Sequence, residues 1–372
     1  MAASFNIRSL VSGQEVLGER TILLSQACRS LFDGDGELLD SLTLAACPVC
    51  GSADLTTIFA LRGFQHHQCR GCKFIFVNPR LSDRAAEAFY NSPYYESYYR
   101  MVELEQAKRG RLVSCSSPIK KLQTIVAEVG RMKPTGRVLD IGCGTGVLLS
   151  LFDQNRYSLQ GVEINELCIK TARDLRGLNV DRTSLSSLRD GGKQYDVLLL
   201  VEVLEHLADP ATFLADVASL ASEKALLVIS TPNIDNLTFH WLGAKCPHFC
   251  APIHLNFFSL ATLRKILESV GFSVVEYSYF GFRFSIAFAI LSQFFDIDFR
   301  PPQSAEDYGC GSDLVFVRPK RDGSEVTAHP RSVRAHGAVH RRLFALANVL
   351  EWLNPVRWFD KSSHFIAYAQ RS

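Results

Sequence analysis

Three stretches of this chain carry residue types at spacings that can do chemistry. Cys47 and Cys50, followed by Cys69 and Cys72, form two Cys-x-x-Cys pairs at the separation of a four-thiolate zinc ribbon. Each pair should sit on a tight turn, with Gly51 and Gly71 supplying the backbone freedom. Four sulfurs close a tetrahedron and leave no position for water, so zinc held there would be structural. In residues 137–147, the apolar run Val138, Leu139, Asp140 and Ile141 reads as a buried parallel strand. It ends in a turn with Gly142, Gly144 and Gly146, and residues 147–152 have the apolar density of a helix. Such a helix start offers unpaired N–H groups to a polar ligand. In residues 201–207, Glu202, Glu205 and His206 stand at the end of another apolar strand, and His254 follows on a later loop. A histidine so placed is suited to taking a proton from an acceptor.

The glycine turn does not spell a dinucleotide fingerprint. G-x-G-x-x-G needs its third glycine where Val147 stands, and Gly146 comes one residue early. Asp140, inside the strand end, would repel a pyrophosphate. A ligand with a cationic end and no phosphates fits better, with NAD(P) as the alternative. Residues 139–146, LDIGCGTG, resemble the first motif of the class I S-adenosylmethionine (SAM)-dependent methyltransferases. A second apolar strand, residues 159–163, ends in Glu163, an acid suited to a ribose diol. The resemblance implies that Glu163 binds the SAM ribose hydroxyls and that Asp140 lies near the methionine amino group. Gly142, Cys143, Gly144, Thr145, Gly146, Ile164, Ser184 and Glu202 would complete the cofactor site.

Methyl transfer is an in-line displacement at a sulfonium, so alignment is the enzyme's chief task. His206 and His254 are the best placed histidines for it, with Glu205 beside them. Glu202, Glu205 and His206 resemble the Glu-x-x-Glu-His metal motif of the ubiquinone-pathway O-methyltransferases. With His254 added, the set resembles the two-Glu, two-His site of the small-RNA 2′-O-methyltransferases. The resemblance implies a divalent ion, Mg or another, that holds the acceptor hydroxyls and lowers their pKa. The alternative is a Glu-His pair that caps a helix and shapes the pocket. Cys246, His248 and Cys250 lie close to His254 on a long loop, read as a lid in preference to a further metal cluster.

The elements that must position these groups alternate between strand and helix. A helical stripe of Ile119, Leu122, Ile125, Val126 and Val129 precedes the glycine-loop strand. A helix over 165–176 with Asn165 as N-cap follows, then a short strand from 178, strand 195–201, helix 211–221 and strand 225–230. Helix 259–270 and strand 272–279 come next, and 364–370 is the last strand. The fold class is therefore α/β, a Rossmann-like, seven-stranded, mostly parallel sheet with helices on both faces. An N-terminal segment, 1–110, would hold the zinc-ribbon module at 47–72 and a Tyr-rich linker with Phe89, Tyr90, Tyr94, Tyr95, Tyr98 and Tyr99. These aromatics either close over a cofactor or acceptor or pack on the core. The methyltransferase domain would span 111–372, with a helical, basic insertion at 281–361 before the last strand. A ribbon, a Tyr-rich segment and a catalytic domain in this order resemble many bacterial SAM methyltransferases, nucleotide-sugar C-methyltransferases among them.

Composition narrows the class. Forty basic against 38 acidic residues give a net charge of +2, which favours neither nucleic acid nor membrane as a partner. The start lacks the pattern of a signal peptide, and no apolar run is long enough to span a membrane. Eleven cysteines, an odd number, argue against a disulfide scaffold and for a reducing, cytoplasmic setting. The Phe-rich stretch from Phe284 to Phe295 leaves peripheral membrane contact or an apolar acceptor pocket open. The expected activity is methyl transfer from SAM to an O- or C-nucleophile of a small-molecule, sugar or lipid-like acceptor. An NAD(P)-dependent oxidoreductase and a non-catalytic SAM-binding protein are the alternatives.

Overall fold

The computed structural model describes residues 27, 30–32, 38–61, 63–97, 99, 118–236, 239, 248–280, 318–319, 325–326 and 364–371. In chain order the strands of the two larger sheets are β1 (Leu55–Leu61), β2 (Phe64–Cys69), β3 (Ile75–Val77), β4 (Gly136–Ile141), β5 (Tyr157–Val162) and β6 (Val180–Asp181). There follow β7 (Tyr195–Val201), β8 (Ala221–Pro232), β9 (Asn256–Phe257), β10 (Phe272–Phe280) and β11 (His364–Arg371). The helices are α1 (Asp83–Tyr90), α2 (Pro118–Met132), α3 (Glu166–Arg176), α4 (Leu185–Asp190), α5 (Pro210–Ser219) and α6 (Leu260–Glu268).

Seven strands make one sheet in the order β10-β11-β8-β7-β4-β5-β6. All neighbours are parallel except β11, which runs antiparallel to both β8 and β10. Strand alternation divides the core between two faces. Leu139, Ile141, Leu198, Leu200, Leu227 and Ile229 point to one face, where Leu214 and Val217 of α5 and Leu263 and Ile266 of α6 cover them. Val138, Val197, Leu199, Leu226 and Val228 point to the other, against Ile125 and Val129 of α2 and Ile169 and Ala172 of α3. The expected doubly covered, mostly parallel sheet is therefore present.

Local chemistry sets the element ends. Asn165 caps α3 by accepting the Cys168 N–H, and Gly177 closes that helix in the left-handed conformation. Asp209 caps α5 ahead of Pro210, and Ser259 with Thr262 forms a capping box on α6. The helix expected directly after the glycine turn is only a single 3-10 turn, Leu149–Leu151. Asp153 stops it: its side chain accepts the Asn155 N–H and its carbonyl accepts the Arg156 N–H, which turns the chain straight into β5. The strand expected at 225–230 is longer, because β8 begins at Ala221 with an irregularity before Leu226.

The N-terminal sheet is antiparallel, in the order β9-β3-β2-β1. One edge strand, β9, comes from the segment just after His254. Cys47, Cys69, Phe74 and Phe76 share one buried cluster with Phe258 and the large sheet. The Phe-rich stretch and the rest of the helical, basic insertion expected at 281–361 lie outside the described residues, apart from a pairing of Arg318–Pro319 with Glu325–Val326. Tyr98 and Cys246 also lie outside them. Among the described residues no helix is long and apolar enough to cross a membrane.

Candidate active site

β4 and β7 are adjacent, and the chain departs from them toward opposite edges of the sheet. A crevice therefore opens at their C-terminal ends, where ligands of open α/β sheets bind. The glycine turn lies on one side of it. A Cβ on Gly142 (φ 72°) would fall 2.8 Å from Val203 Cγ2, and one on Gly146 (φ 79°) 2.6 Å from Leu178 Cδ1. Both positions are thus closed to larger residues by backbone and by space. Asp140 is buried at the end of β4, and burial, with Glu163 nearby, drives its carboxyl well above the usual range. Such a group is stabilised in its charged form by a cation placed beside it.

Glu163 directly follows β5 and accepts N–H groups from Gly144 (2.8 Å), Ile164 (2.8 Å) and Asn165 (2.9 Å). Burial raises its pKa and these three donors oppose the rise. Cys143 packs its sulfur over Gly161, where a Cβ would meet it at 2.6 Å, and Thr145 is buried in the turn. Ser184 is the N-cap of α4 and accepts the Ser187 N–H. Ile164 is exposed. Of the Tyr-rich segment, the Tyr99 ring stands 3.8 Å from the Cβ position of Gly144, and Tyr90 meets the His206 ring edge-on at 5.9 Å. Phe89, Tyr94 and Tyr95 are buried together between these ends. Asn165 Nδ2 ties the segment down by donating to the Tyr90 carbonyl.

The far side of the crevice carries the ionisable cluster. Glu205, His206 and His254 offer ligand atoms that all lie within 4.8 Å of one another. His206 Nδ1 lies 2.7 Å from the Ile253 carbonyl, and His254 Nδ1 lies 3.0 Å from the His248 carbonyl. A carbonyl only accepts, so each ring carries a proton on Nδ1, and a neutral ring then presents its lone pair on Nε2. The rings are 5.0 Å apart. Glu205 is buried: its Oε2 accepts from Thr231 Oγ1 at 2.9 Å, and its Oε1 has no hydrogen-bond partner. Burial, helped by Glu202, pushes its pKa up to about 8. Burial and His254 bring that of His206 down to about 3.

Glu202 is placed elsewhere. Its carboxylate meets Lys121 Nζ at 2.8 Å, accepts from Ser230 Oγ at 2.7 Å and lies 3.3 Å from His364 Nε2. These partners, above all Lys121, hold its pKa well below the usual range against burial. Lys121, Ser230 and His364 went unnoticed in the sequence because each comes from a different element. Tyr90, by contrast, belongs to the aromatic run that the sequence already singles out.

The four cysteines also converge. Cys47 Sγ lies 3.6 Å from Cys72 Sγ, and Cys50 Sγ lies 3.5 Å from Cys69 Sγ. A tetrahedral zinc with bonds of about 2.3 Å would separate its sulfurs by about 3.8 Å, so this donor set fits zinc after a small adjustment. The two turns are equivalent, with the Gly51 N–H donating to the Cys47 carbonyl and the Lys73 N–H to the Cys69 carbonyl. The left-handed positions are Gly51 (φ 70°) and Lys73 (φ 65°), so the second turn takes its conformation at Lys73 and not, as expected, at Gly71.

Comparison with known proteins agrees with the geometry. A family profile described as a methyltransferase domain matches residues 115–277. A ubiquinone biosynthesis O-methyltransferase of Parvibaculum lavamentivorans is 38% identical over 102 residues, covering 26% of this chain and 40% of that protein. The Caulobacter sp. (strain K31) protein of the same name is 36% identical over 103 residues, covering 26% and 41%. The chain thus spans about two fifths of the length of these curated relatives. The SAH-bound crystal structure of magnesium protoporphyrin IX methyltransferase from Synechocystis PCC 6803 aligns with a TM-score of 0.42 and 20% identity, over 55% of this chain and 95% of that one. That last likeness is too weak to argue from. Residues 115–277 of this chain thus match a methyltransferase domain, in line with the resemblance of its glycine turn to the class I, SAM-dependent family.

Proposed function

We propose that the chain transfers the methyl group of SAM to a hydroxyl oxygen of a small acceptor, with Glu205, His206 and His254 holding a divalent cation beside that oxygen. One observation carries the reading. Two imidazoles are anchored through Nδ1 to backbone carbonyls, and their Nε2 lone pairs stand with a partnerless buried carboxylate oxygen in a cluster spanning 4.8 Å. Metal-binding histidines are oriented in this way by the hydrogen bond at the other ring nitrogen. Two imidazoles and one carboxylate suit a borderline ion such as Fe, Co or Zn, or the harder Mn, better than Mg, which prefers oxygen ligands more strongly.

SAM, when bound, supplies an electrophilic methyl carbon on a sulfonium. Asp140 and Glu163 would take its amino and ribose hydroxyl groups, and the glycine turn admits it without side-chain bulk. Gly142, Cys143, Gly144, Thr145, Gly146 and Ile164 would line the pocket. Tyr90 and Tyr99 reach from His206 to the turn and would exclude water over the crevice. A cation at the cluster would lower the pKa of an acceptor hydroxyl, which His206 or His254 would otherwise have to deprotonate. The names of the relatives favour oxygen as the acceptor atom, and a phenolic or lipid-like hydroxyl is our choice of acceptor. Cys47, Cys50, Cys69 and Cys72 are assigned to structural zinc. A reducing compartment such as the cytoplasm goes with that assignment, because it keeps zinc ligands out of disulfides.

The test is methyl transfer from labelled SAM to a panel of phenols, sugars and quinone precursors by the full chain, before and after chelation. Loss of at least tenfold on chelation, with recovery on adding Mn or Co, is expected. Full turnover by the chelated enzyme, or by Glu205→Gln and His254→Ala variants, would remove the metal from the reading. If no heat accompanies SAM or its demethylated product in calorimetry, the whole reading fails.

A further inference from the structure

The sequence suggests a zinc ribbon that stands apart from the catalytic domain, but one buried side chain joins them at the histidine cluster. Arg80, three residues beyond β3, is fully buried. Its Nε donates to the Val77 carbonyl at 2.8 Å, in the ribbon sheet. Its Nη1 donates to the carbonyls of Leu207 (3.3 Å) and Ala208 (3.0 Å) and to Asn256 Oδ1 (3.0 Å), and its Nη2 donates to the Leu255 carbonyl (3.4 Å). Leu207 is the residue after His206, and Leu255 is the residue after His254.

The same point is tied a second and a third time. Asn256 Nδ2 donates to the carbonyls of Leu204 (3.1 Å) and Leu207 (2.7 Å), which bracket Glu205 and His206. The Leu255 N–H donates to the Glu205 carbonyl at 2.7 Å, and the Val77 N–H to the Leu255 carbonyl at 2.9 Å. β3 and β9 then pair directly, Asn256 opposite Phe76 and Phe257 opposite Ile75. A planar guanidinium has five donors in a rigid fork, so it fixes the relative position of the carbonyls it bonds; an ammonium on a flexible stem does not.

We infer that Arg80 is a positioning residue that sets the spacing of His206 and His254, and that the ribbon's last strand is part of the active-site frame. This rests on the proposed site only in assigning those histidines a role, because the clamp itself is read from the hydrogen bonds. It also gives the ribbon a task beyond holding zinc: it carries the third side of the clamp.

The test uses the full chain labelled with 15N-histidine. Nδ1–H groups bonded to carbonyls give resolved signals, which His206→Gln and His254→Gln variants would assign. Arg80→Lys keeps the charge but loses the fork. It should shift or broaden both signals and lower kcat at least tenfold, while KM for SAM stays within twofold and zinc content and far-UV dichroism are unchanged. Asn256→Ser, which leaves Arg80 in place, should move the same two signals to a smaller extent, and it serves where the arginine variant does not fold. A folded Arg80→Lys or Asn256→Ser protein with both signals unmoved overturns the inference. The imidazole signals report whether or not the chain binds a cation or transfers a methyl group, so this idea and the proposed function fail separately.

Discussion

Lys121 and Glu202 form an ion pair at 2.8 Å that ties α2 to the turn after β7. Glu202 takes the left-handed conformation there (φ 57°), which a residue with a Cβ adopts at a cost. The pair also explains why Glu202 stands apart from Glu205, His206 and His254, although all four were grouped from the sequence. A carboxylate that already has an ammonium, a hydroxyl and an imidazole beside it has little to gain from a cation.

A double-mutant cycle measures that pair. Lys121→Met leaves a largely buried carboxylate without its main counter-charge, and Glu202→Gln leaves the ammonium so. Each should destabilise the fold, and the double variant should lose less than the sum. The coupling expected in chemical denaturation is about 1–2 kcal/mol, reduced from a fully buried pair because Glu202 is about one-third exposed. Additive losses would show that the pair does nothing for stability.

Lys73 offers a gain in stability. Its φ of 65° is the conformation that Gly51 adopts in the matching turn, and only glycine takes it without steric cost. Lys73→Gly should therefore raise the stability of the zinc-loaded chain by about 1 kcal/mol, and Gly51→Ala should lower it by about as much. Thermal unfolding at fixed zinc would decide. A drop for Lys73→Gly would mean that the lysine side chain matters more than the backbone.

His66 gives the ribbon a pH dependence. It is buried, stacked on Phe59 at 4.4 Å, with no hydrogen-bond partner at either ring nitrogen. Burial brings its pKa down to about 4. In the unfolded chain it titrates near the usual 6.5. Between those values the unfolded state holds the extra proton, so the stability due to this group is complete above pH 6.5 and is lost as pH falls toward 4. The slope approaches about 1.4 kcal/mol per pH unit, up to about 3 kcal/mol in all. His66→Phe should flatten that part of the stability profile relative to the parent chain. Identical profiles for the two proteins would place the acid sensitivity elsewhere.

What could be read from the sequence was local or periodic. The glycine turn, the Asn165 cap, the apolar strands β4 and β7 and the last strand, β11, each announce themselves within a dozen residues. The cysteine pairs do so by spacing. The missed features are contacts between distant segments: Lys121 to Glu202, Glu202 to His364, Arg80 to Leu207 and Leu255, and β9 closing the ribbon sheet. No periodicity marks a residue whose partner lies 80 or more positions away. The 3-10 turn after Gly146 looks like a helix in the sequence for the opposite reason. Leu148, Leu149 and Phe152 are as buried as helix residues would be, and only the Asp153 turn shows that the helix cannot continue.

The cofactor end of the crevice can be tested without knowing the acceptor. Glu163 does two jobs in the proposal, since its carboxylate holds the Gly144 N–H at 2.8 Å and would also accept the ribose hydroxyls. Glu163→Gln keeps the shape and one acceptor oxygen but puts an NH2 where a carboxylate oxygen accepted a hydrogen bond. SAM and its demethylated product should then both bind about 10–100-fold more weakly, as expected for the loss of charge-assisted hydrogen bonds of about 1.5–3 kcal/mol. Asp140→Asn should weaken SAM and its product alike if the carboxylate serves the amino group, which both molecules carry. A larger loss for SAM would instead place Asp140 beside the sulfonium, the one charge that the product lacks. Gly142→Ala should abolish binding of both, because its Cβ would lie 2.8 Å from Val203. Calorimetry on the three variants distinguishes these outcomes, and unchanged affinity in all three would mean that the ligand does not lie against the glycine turn.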